Sequence, residues 1–459
     1  MRRWFGSVGG GLPATFWYLW VGILVNRVGG FAVLFLSLYL TNARHVSVSV
    51  AGLVVGAFGI GGVAGNLLGG VLADRWGRRP TLLVAYFGSA GSLFTLGQAT
   101  WLPLIAGICV VAGVCHAMTW PAMISAIVDV VPDGARTRAL NLQFWAHNAG
   151  VAAASLLAGA LAEVSFGLMF ALDAATTLAA AVLLLLKVPE TRPASGPSSG
   201  LSSPSSSGSA SGSADRGGRA EGGLFAVLRD RVFLGFVGLT FLSASVSAQG
   251  TTLLPLAMRA DGLTPGDYGR LGALSAALIV IGQLFIPTLL RHASRRAALA
   301  VAAVVAGVAY GSLAFVDAYP VYLVAAVGWT LGGMLSAPPN AVLQAGLAPA
   351  PLRARYQAVF YLAFPAGGLV APAIGGFSLE HLGRWHWLSS TVLGLVAAAL
   401  YMRGGPAWER RMTRLTAHLP EPPARPQPPA RPQPAARPQP AARPQPAPQP
   451  RPAARANLS

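Results

Sequence analysis

Long apolar runs recur along most of this chain, and each is close to the roughly 20 residues that an α-helix needs to cross a bilayer core of about 30 Å. Only 10% of the 459 residues are charged, whereas soluble domains carry about 25%. Lipid is therefore the expected solvent. We predict an all-α integral membrane protein with twelve transmembrane helices, at 14–40, 48–73, 80–98, 102–128, 139–161, 165–187, 231–257, 267–290, 296–316, 320–347, 355–378 and 384–402.

The positive charges alternate between the predicted loops. The loops on one side hold most of the Arg and Lys residues, whereas the other side holds only Arg44, Arg259, Arg270 and Arg384. Lys and Arg favour cytoplasmic loops, so we predict a multi-pass protein of the cell membrane with both termini in the cytoplasm. This pattern also accounts for the net charge of +18, and we do not expect a nucleic-acid partner.

Composition divides the chain into five segments. A Ser/Gly-rich stretch without apolar periodicity reads as a flexible linker between six and six spans. After the last span, Arg425, Arg431, Arg437 and Arg443 recur every six residues in a Pro-rich tail. We favour a disordered tail, with attraction to anionic lipid as the alternative. The predicted segments are a cytoplasmic N-terminus at 1–13, a six-helix half at 14–190, the linker at 191–228, a second six-helix half at 229–403 and the tail at 404–459.

The two halves match each other at a constant offset of 217 residues. The offset relates Pro, Arg and Gly residues in equivalent loops and helices without a gap. The matched pairs are Pro121 with Pro338, Pro132 with Pro349, Arg136 and Arg138 with Arg353 and Arg355, Arg78 and Arg79 with Arg295 and Arg296, Gly150 with Gly367, and Gly159 with Gly376. Parallel repeats of this kind form transporters whose solute site lies between the repeats near mid-membrane.

The short loop between the second and third spans carries a motif. It reads Gly70-Val71-Leu72-Ala73-Asp74-Arg75-Trp76-Gly77-Arg78-Arg79. This resembles the signature loop of the major facilitator superfamily (MFS), Gly-x-x-x-Asp-Arg-x-Gly-Arg-[Arg/Lys]. The resemblance covers about residues 14–402 and implies the MFS fold, in which two six-helix repeats work by alternating access. A positive-inside anchor would explain the Arg residues alone, but neither Asp74 nor Gly77.

The resemblance also implies a conformational latch at this loop. Asp74 would accept hydrogen bonds from the free amides at the start of span eleven, near 353–357, when the cytoplasmic side is closed. Small residues at four-residue spacing, Gly61, Gly65 and Gly69 on span two and Gly367, Ala371 and Gly375 on span eleven, would permit the approach. The latch candidates are Gly70, Asp74, Arg75, Gly77, Arg78, Arg79, Arg136, Arg138, Arg353 and Arg355.

Further fragments are similar to the drug-exporter branch of the superfamily. They include Asn26-Arg27-x-Gly29, Leu38-Tyr39-Leu40-Thr41, Trp120-Pro121-Ala122, and Gln249 ahead of Leu254-Pro255-Leu256. Two positions depart from that branch. Cys109 stands where it usually has an Arg, and Ala154-Ser155 replace a Gly-Pro pair associated with antiport. These departures weigh against proton antiport but not against membership of the superfamily.

A few polar groups inside the spans are candidates for the solute cavity or for coupling. Ionisable residues at membrane depth are costly and mark function by default. Arg27 and Asp173 fall at similar depth, with a structural ion pair as the alternative reading. His116 and His147 could exchange protons, or be satisfied core residues. The candidates are Asn26, Arg27, Phe31, His116, Gln143, His147, Asp173, Gln249, Trp329, Asn340 and Gln344, of which Trp329, Asn340 and Gln344 share a face of span ten with Gly333 and Ser336.

No enzyme constellation is present in the sequence, and we expect no cofactor or metal site. The leading expectation is a monomeric secondary transporter that moves a small organic solute, with proton-coupled efflux of a drug or metabolite favoured. The alternatives are uptake or facilitated diffusion of a nutrient, and a membrane receptor or sensor. The expected partners are the solute, protons as candidate coupling ion, and the lipid bilayer.

Overall fold

The computed structural model describes residues 10–191, 227–283, 285–315, 317–349 and 352–417. Within these residues the chain is helical and has no strand. Most of the predicted N-terminus, the linker at 192–226 and the tail beyond 417 lie outside the described residues. The helices are α1 Ala14–Val28, α2 Ala32–Ala43, α3 Val48–Arg75, α4 Arg78–Gln98, α5 Leu102–Val130, α6 Arg136–Val164, α7 Phe166–Lys187, α8 Arg231–Thr252, α9 Leu254–Ala260, α10 Pro265–Gly282, α11 Ile286–Leu289, α12 Arg295–Gly311, α13 Tyr319–Leu347, α14 Arg353–Leu382 and α15 Trp387–Ala417.

These helices follow the predicted spans, with breaks in three of them. Span one is divided at Gly29–Phe31 into α1 and α2, and span seven is divided at Leu253, just before Pro255. Proline has no amide hydrogen and interrupts a helix ladder. Span eight is divided between α10 and α11. The predicted all-helical membrane fold is confirmed within the described residues.

In the part of the chain that the structure describes, length and composition identify fewer membrane-spanning helices than the twelve predicted from the sequence. Within the described residues, nine helical stretches are long and apolar enough to span a bilayer, the last of them, Arg355–Leu415, covering α14 and most of α15. α4 and α10 are absent from this set. Both begin with polar residues, such as Arg78 and Arg79 in α4 and Asp267 and Arg270 in α10. The count of twelve crossings stays a prediction.

α15 runs further than predicted. It continues to Ala417, so residues 404–417, assigned above to a disordered tail, are helical. Trp408 is 4% exposed, packs on Phe236 and Tyr401, and its Nε1 donates to the carbonyl of Val232 at 3.3 Å. Burial of an indole with a satisfied N–H stabilises a helix that has left the apolar span.

The two halves meet along two equivalent helix pairs. α3 of the first half packs against α14 of the second, and α6 packs against α10. The 217-residue offset exchanges these pairs. Small residues permit the close approach: a Cβ on Gly59 would lie 2.6 Å from the backbone nitrogen of Leu369, and one on Gly159 would lie 3.0 Å from Cα of Gly266. Both contacts lie toward the end of the bundle away from the loop at 76–77.

The hydrophobic core is shared at one end of the bundle and divided at the other. We call the end with the loop at 76–77 and the starts of α6 and α14 the arginine-rich end. At the opposite end, one hydrophobic cluster contains residues of both halves. In it, Phe35 and Tyr268 are in edge-to-face contact, with ring centroids 5.3 Å apart. At the arginine-rich end, one cluster holds buried residues of the first half only and another those of the second half only. The described structure is therefore closed at the opposite end.

Candidate functional site

A large cavity lies between the two halves. It has a volume of about 500 Å³, within the usual range for small-molecule sites. Its walls come from both halves, from Leu34 of α2 to Pro338 of α13, and it extends from Tyr268 to Ile286 at the arginine-rich end of the bundle. The contacts at the opposite end close it there.

The cavity wall is mostly apolar and aromatic. Phe144, Tyr268, Tyr310 and Trp329 line it, and Tyr310 and Trp329 stack with ring centroids 4.7 Å apart. Its polar groups are small hydroxyls and amides, and none of the lining residues described carries a charged side chain. The polar lining residues besides the tyrosines are Asn148, Ser155, Ser247, Thr251, Ser275, Gln283 and Thr330.

A smaller polar pocket adjoins this cavity. It has a volume of about 130 Å³ and shares Leu34 and Val151 with the cavity wall. Arg27 of α1, His116 of α5 and Asp173 of α7 line it. The charged groups and the imidazole of His116 thus lie beside the apolar cavity rather than within its wall.

A chain of hydrogen bonds orders the pocket. Nδ2 of Asn26 donates to Oγ1 of Thr177 at 3.0 Å, and that hydroxyl donates to Oδ1 of Asp173 at 3.5 Å. Nη1 of Arg27 lies 3.4 Å from Nε2 of His116. A guanidinium has no acceptor, so the imidazole nitrogen must be the acceptor. His116 is therefore neutral here, with its proton on Nδ1.

Arg27 also borders a third, much smaller space. Its volume is about 20 Å³, and Gln143, His147 and Tyr86 line it. Nε2 of Gln143 and Nδ1 of His147 are buried without a hydrogen-bond partner in the described structure. The structure thus brings together six predicted residues in two adjoining spaces that share Asn26 and Arg27: Asn26, Arg27, His116, Gln143, His147 and Asp173.

Other predicted cavity residues lie elsewhere. Phe31 is 3% exposed in the core cluster at the opposite end. Gln249 is 5% exposed, and its Oε1 accepts from Oγ of Ser390 at 2.8 Å, which ties α8 to α15. A hydrophobic span cannot show by sequence which face meets a cavity and which meets a neighbouring helix.

The predicted face of span ten holds only in part. Trp329 and Gly333 line the cavity, but Asn340 and Gln344 do not, and Ala337 and Pro338 take their place. Pro338 and Pro339 lie inside α13. A proline removes a backbone hydrogen bond and bends a helix, so a face drawn with straight helical periodicity is wrong beyond this point. Tyr268 and Tyr310 were not predicted.

The signature loop is ordered within the first half. Nε of Arg78 lies 2.7 Å from Oδ2 of Asp129, and Oε1 of Glu190 accepts from the amide of Arg78 at 2.9 Å. Gly77, with φ of 112°, lies against the same Glu190 carboxylate. That conformation and that contact both require a residue without a side chain.

The predicted latch contact is not formed here. Asp74 pairs with Arg78 of its own loop at 3.7 Å, and 75% of its side chain is exposed. Gly61, Gly65 and Gly69 pack on α5, and it is Gly52, Gly56 and Gly59 that face α14. In the described residues the halves are joined at the opposite end, so the latch at the arginine-rich end stays a prediction for another state.

Outside the spans, the opposite end carries an ion pair within the second half. Nη2 of Arg384 donates to Oδ2 of Asp317 at 3.1 Å. This hydrogen bond lowers the pKa of the exposed Asp317 carboxyl below its ordinary value. The pair therefore weakens as the pH falls through that lowered value.

Comparison with known proteins places these features in one family. The family model described as Major Facilitator Superfamily matches residues 19–350 and 251–451. The chain is 26% identical over 401 residues to the "Uncharacterized MFS-type transporter YttB" of Bacillus subtilis (strain 168), covering 84% of this chain and 94% of that protein. It is 23% identical over 391 residues to the "Multidrug resistance protein MdtH" of Aeromonas hydrophila subsp. hydrophila, covering 83% and 92%.

A solved structure shares the fold. The crystal structure of a POT family transporter in complex with a thioalcohol-conjugated peptide superposes with a TM-score of 0.71 at 14% identity, covering 88% of this chain and 98% of that one. These similar proteins are transporters. With the family model matching most of the sequence, the chain belongs to the Major Facilitator Superfamily and is a multi-pass membrane protein of solute transport.

Proposed function

We propose that this protein is a secondary transporter that exports an amphipathic, aromatic organic solute in exchange for protons. The observation that carries the proposal is the cavity of about 500 Å³ between two repeated halves, closed at the opposite end and extending toward the arginine-rich end. If the arginine-rich end is cytoplasmic, as the loop charges predict, the structure is an inward-facing state ready to load a cytoplasmic solute.

The cavity wall supports the class of solute. The parallel stack of Tyr310 and Trp329 offers a flat surface, and the hydroxyl and amide groups around it can orient a few polar atoms. Aromatic rings favour offset stacking with planar partners. A planar apolar body with one or two polar substituents fits this wall better than a sugar or a highly charged solute.

The polar pocket supports proton coupling. Because His116 accepts from Arg27, a proton on Nε2 would put two cations side by side beside the solute cavity. Histidine serves as a proton shuttle in many proteins. A proton on His116 would therefore displace the Arg27 side chain toward Asp173 or toward the cavity. This route does not need an Arg at position 109 or a Gly-Pro pair at 154–155.

Transport in vesicles tests the proposal. Inside-out vesicles are supplied with a panel of planar aromatic amphiphiles, with and without an imposed pH gradient. Gradient-dependent accumulation of one or more compounds is expected. The Trp329→Ala variant should raise the half-saturating concentration roughly 5- to 30-fold, because a stacked aromatic contact and its burial are worth about 1–2 kcal/mol.

Trp101→Ala is the matched control, since Trp101 is 66% exposed at the start of α5 and does not line the cavity. Equal loss of transport in both tryptophan variants would contradict the assigned cavity. Accumulation without a pH gradient would favour facilitated diffusion, and accumulation in right-side-out vesicles alone would favour uptake.

A further inference from the structure

Two glutamates at the opposite end each cap a helix of the other half. Oε1 of Glu163, near the end of α6, accepts from the amide of Gly266 in α10 at 3.1 Å. Oε2 of Glu380, near the end of α14, accepts from the amide of Ser49 in α3 at 2.6 Å. α3 and α6 belong to the first half, and α10 and α14 to the second. Both hydrogen bonds therefore cross the divide between the halves.

The two contacts are copies of each other. Position 163 becomes 380, and position 49 becomes 266, under the offset of 217 residues. The surrounding close contacts obey the same offset: a Cβ on Gly159 would lie 3.0 Å from the carbonyl oxygen of Pro265, and one on Gly376 would lie 2.9 Å from the carbonyl oxygen of Val48. The sequence thus holds the same carboxylate-to-amide contact twice, at equivalent positions of both helix pairs.

In each capped helix, one amide of the first turn donates to a glutamate of the other half. In α3, Oγ of Ser47 accepts from the amide of Val50, the third helical residue. In α10, Oγ1 of Thr264 likewise accepts from the amide of Asp267. The amide of the second helical residue, Ser49 or Gly266, goes to the glutamate. Helix starts have free amides and a positive dipole end, so each carboxylate satisfies a group that local capping does not reach.

Packing alone does not require these carboxylates. Small residues are enough for α6 to approach α10, and for α14 to approach α3. Glu163 and Glu380 are both exposed at the rim of the bundle, where any polar residue would be tolerated. Because each glutamate accepts a hydrogen bond from the other half, both contacts depend on the relative position of the halves.

We propose that Glu163 and Glu380 form a twin latch that holds the opposite end closed and is released when that end opens. The proposal rests on the alternating access proposed above, but not on the solute or the coupling ion. Both contacts break together, because one movement separates α3 from α14 and α6 from α10. The latch has its own chemistry, distinct from the signature loop at the arginine-rich end.

Thiol labelling in the full chain tests the latch. The native Cys109 and Cys115 are buried, so an introduced thiol can be followed. Ser155→Cys places a near-isosteric thiol at the contact of α6 with α10, where Ser155 is 3% exposed. A membrane-impermeant maleimide added to intact cells reaches it only when the opposite end opens. Glu163→Gln and Glu380→Gln should each speed this labelling roughly two- to fivefold, the range for a charge at a helix terminus, and the double variant by about the product.

A second reporter separates latch release from general loosening. Gln283 lines the cavity at the end of α10, so a thiol introduced by Gln283→Cys can be labelled with the impermeant maleimide in inside-out vesicles. Release of the latch should leave its labelling unchanged or slower, whereas loosening of the fold would speed labelling at both positions. The control is Asp317→Asn, which breaks the ion pair with Arg384 inside the second half and should not change either rate.

The outcomes are distinct. Unchanged Ser155→Cys labelling in the double glutamine variant, or an equal change in the Asp317 control, would overturn the latch. Faster labelling at the opposite end alone supports it. Solute flux is measured separately, so a latch that responds as expected in a chain without proton-driven export would refute the proposed function and leave the latch standing.

Discussion

At the scale of single residues, the Arg27 and His116 pair is an arrangement that the proposed proton would change. The guanidinium of Arg27 can only donate hydrogen bonds. Nε2 of His116, 3.4 Å from Nη1 of Arg27, therefore has to accept and carries no proton. The pair stands beside the cavity, and Asp173 on the same pocket wall supplies the compensating charge. In the proposed exchange, proton binding at His116 would therefore be linked to the position of Arg27.

Replacing His116 with glutamine should separate binding from coupling. The amide oxygen of Gln can still accept from Arg27, but it does not titrate. Since one exchanged proton can drive about tenfold accumulation per pH unit, His116→Gln should lose roughly that factor in vesicles with a one-unit gradient and still bind solute. His381→Gln, at an exposed residue near the end of α14, is the control. Undiminished gradient-driven accumulation in His116→Gln would exclude this residue as the proton carrier.

Some of the candidate site is visible in the sequence and some is not. Arg27, His116 and Asp173 stand out because ionisable groups in apolar spans are rare, and the structure brings them into one pocket. Tyr268 and Tyr310 give no such signal, because aromatic residues are common in any apolar helix. Gln249 and Phe31 were predicted to line the cavity, because the sequence of an apolar span does not show which way each side chain faces. In the structure both face other helices.

At the scale of helices, α3 carries glycines on two faces with different neighbours. Gly61, Gly65 and Gly69 meet α5 of the same half, whereas Gly52, Gly56 and Gly59 meet α14 of the other half. A four-residue repeat predicts close packing from sequence, but the partner helix depends on which way the repeat faces. This is why the predicted repeat was assigned to the wrong partner.

The two glycine faces should respond differently to a leucine. In Gly59→Leu the side chain would overlap the backbone of Leu369 only while the halves are closed at the opposite end. Overpacking costs about 1–3 kcal/mol, so the closed state should lose roughly 5- to 150-fold in population, and transport should fall with it. Gly65→Leu would instead lower the melting temperature, because it overlaps α5 in every state.

Gly91→Leu is the control for both variants, since no other group lies within 4 Å of a Cβ at Gly91. Flux and thermal stability are measured for all three variants. The assignment fails if Gly59→Leu and Gly65→Leu lower stability to the same extent without a difference in transport.

The extension of α15 is held by a buried charge. Arg411 forms an ion pair with Asp230, whose side chain is 7% exposed and also accepts from Tyr356 Oη at 2.7 Å. Arg411→Ala would leave that carboxylate without its cation. Because Arg411 is itself partly exposed, we expect a loss of about 1–3 kcal/mol in unfolding free energy. Melting temperatures are measured in detergent for Arg411→Ala and for Arg410→Ala as the comparison. Equal melting temperatures for the two variants would contradict the role of the pair.

At the scale of the whole molecule, the duplication is visible in the sequence but the conformational state is not. An offset of 217 residues predicts two equivalent halves, and the structure pairs α3 with α14 and α6 with α10 accordingly. Which end is closed depends on a small free-energy difference between two arrangements of the same helices. Loop charges and periodicity do not report that difference, and the divided core does.

Two tryptophans at the ends of the bundle test its orientation. Trp76 is 60% exposed in the signature loop, and Trp101 is 66% exposed at the opposite end. With the arginine-rich end in the cytoplasm, Trp76→Cys should react with an impermeant maleimide in inside-out vesicles but not in intact cells, and Trp101→Cys should show the reverse. The same sidedness for both thiols, or the reversed pattern, would refute the predicted topology.

The repeated pairing of helices also bears on assembly. Each half offers one helix start and one glutamate-bearing helix end, and it receives the same two surfaces in return. Two such units have complementary docking faces even without a covalent join between them. Fragments that end before and begin after the linker at 192–226 should therefore associate when they are co-expressed.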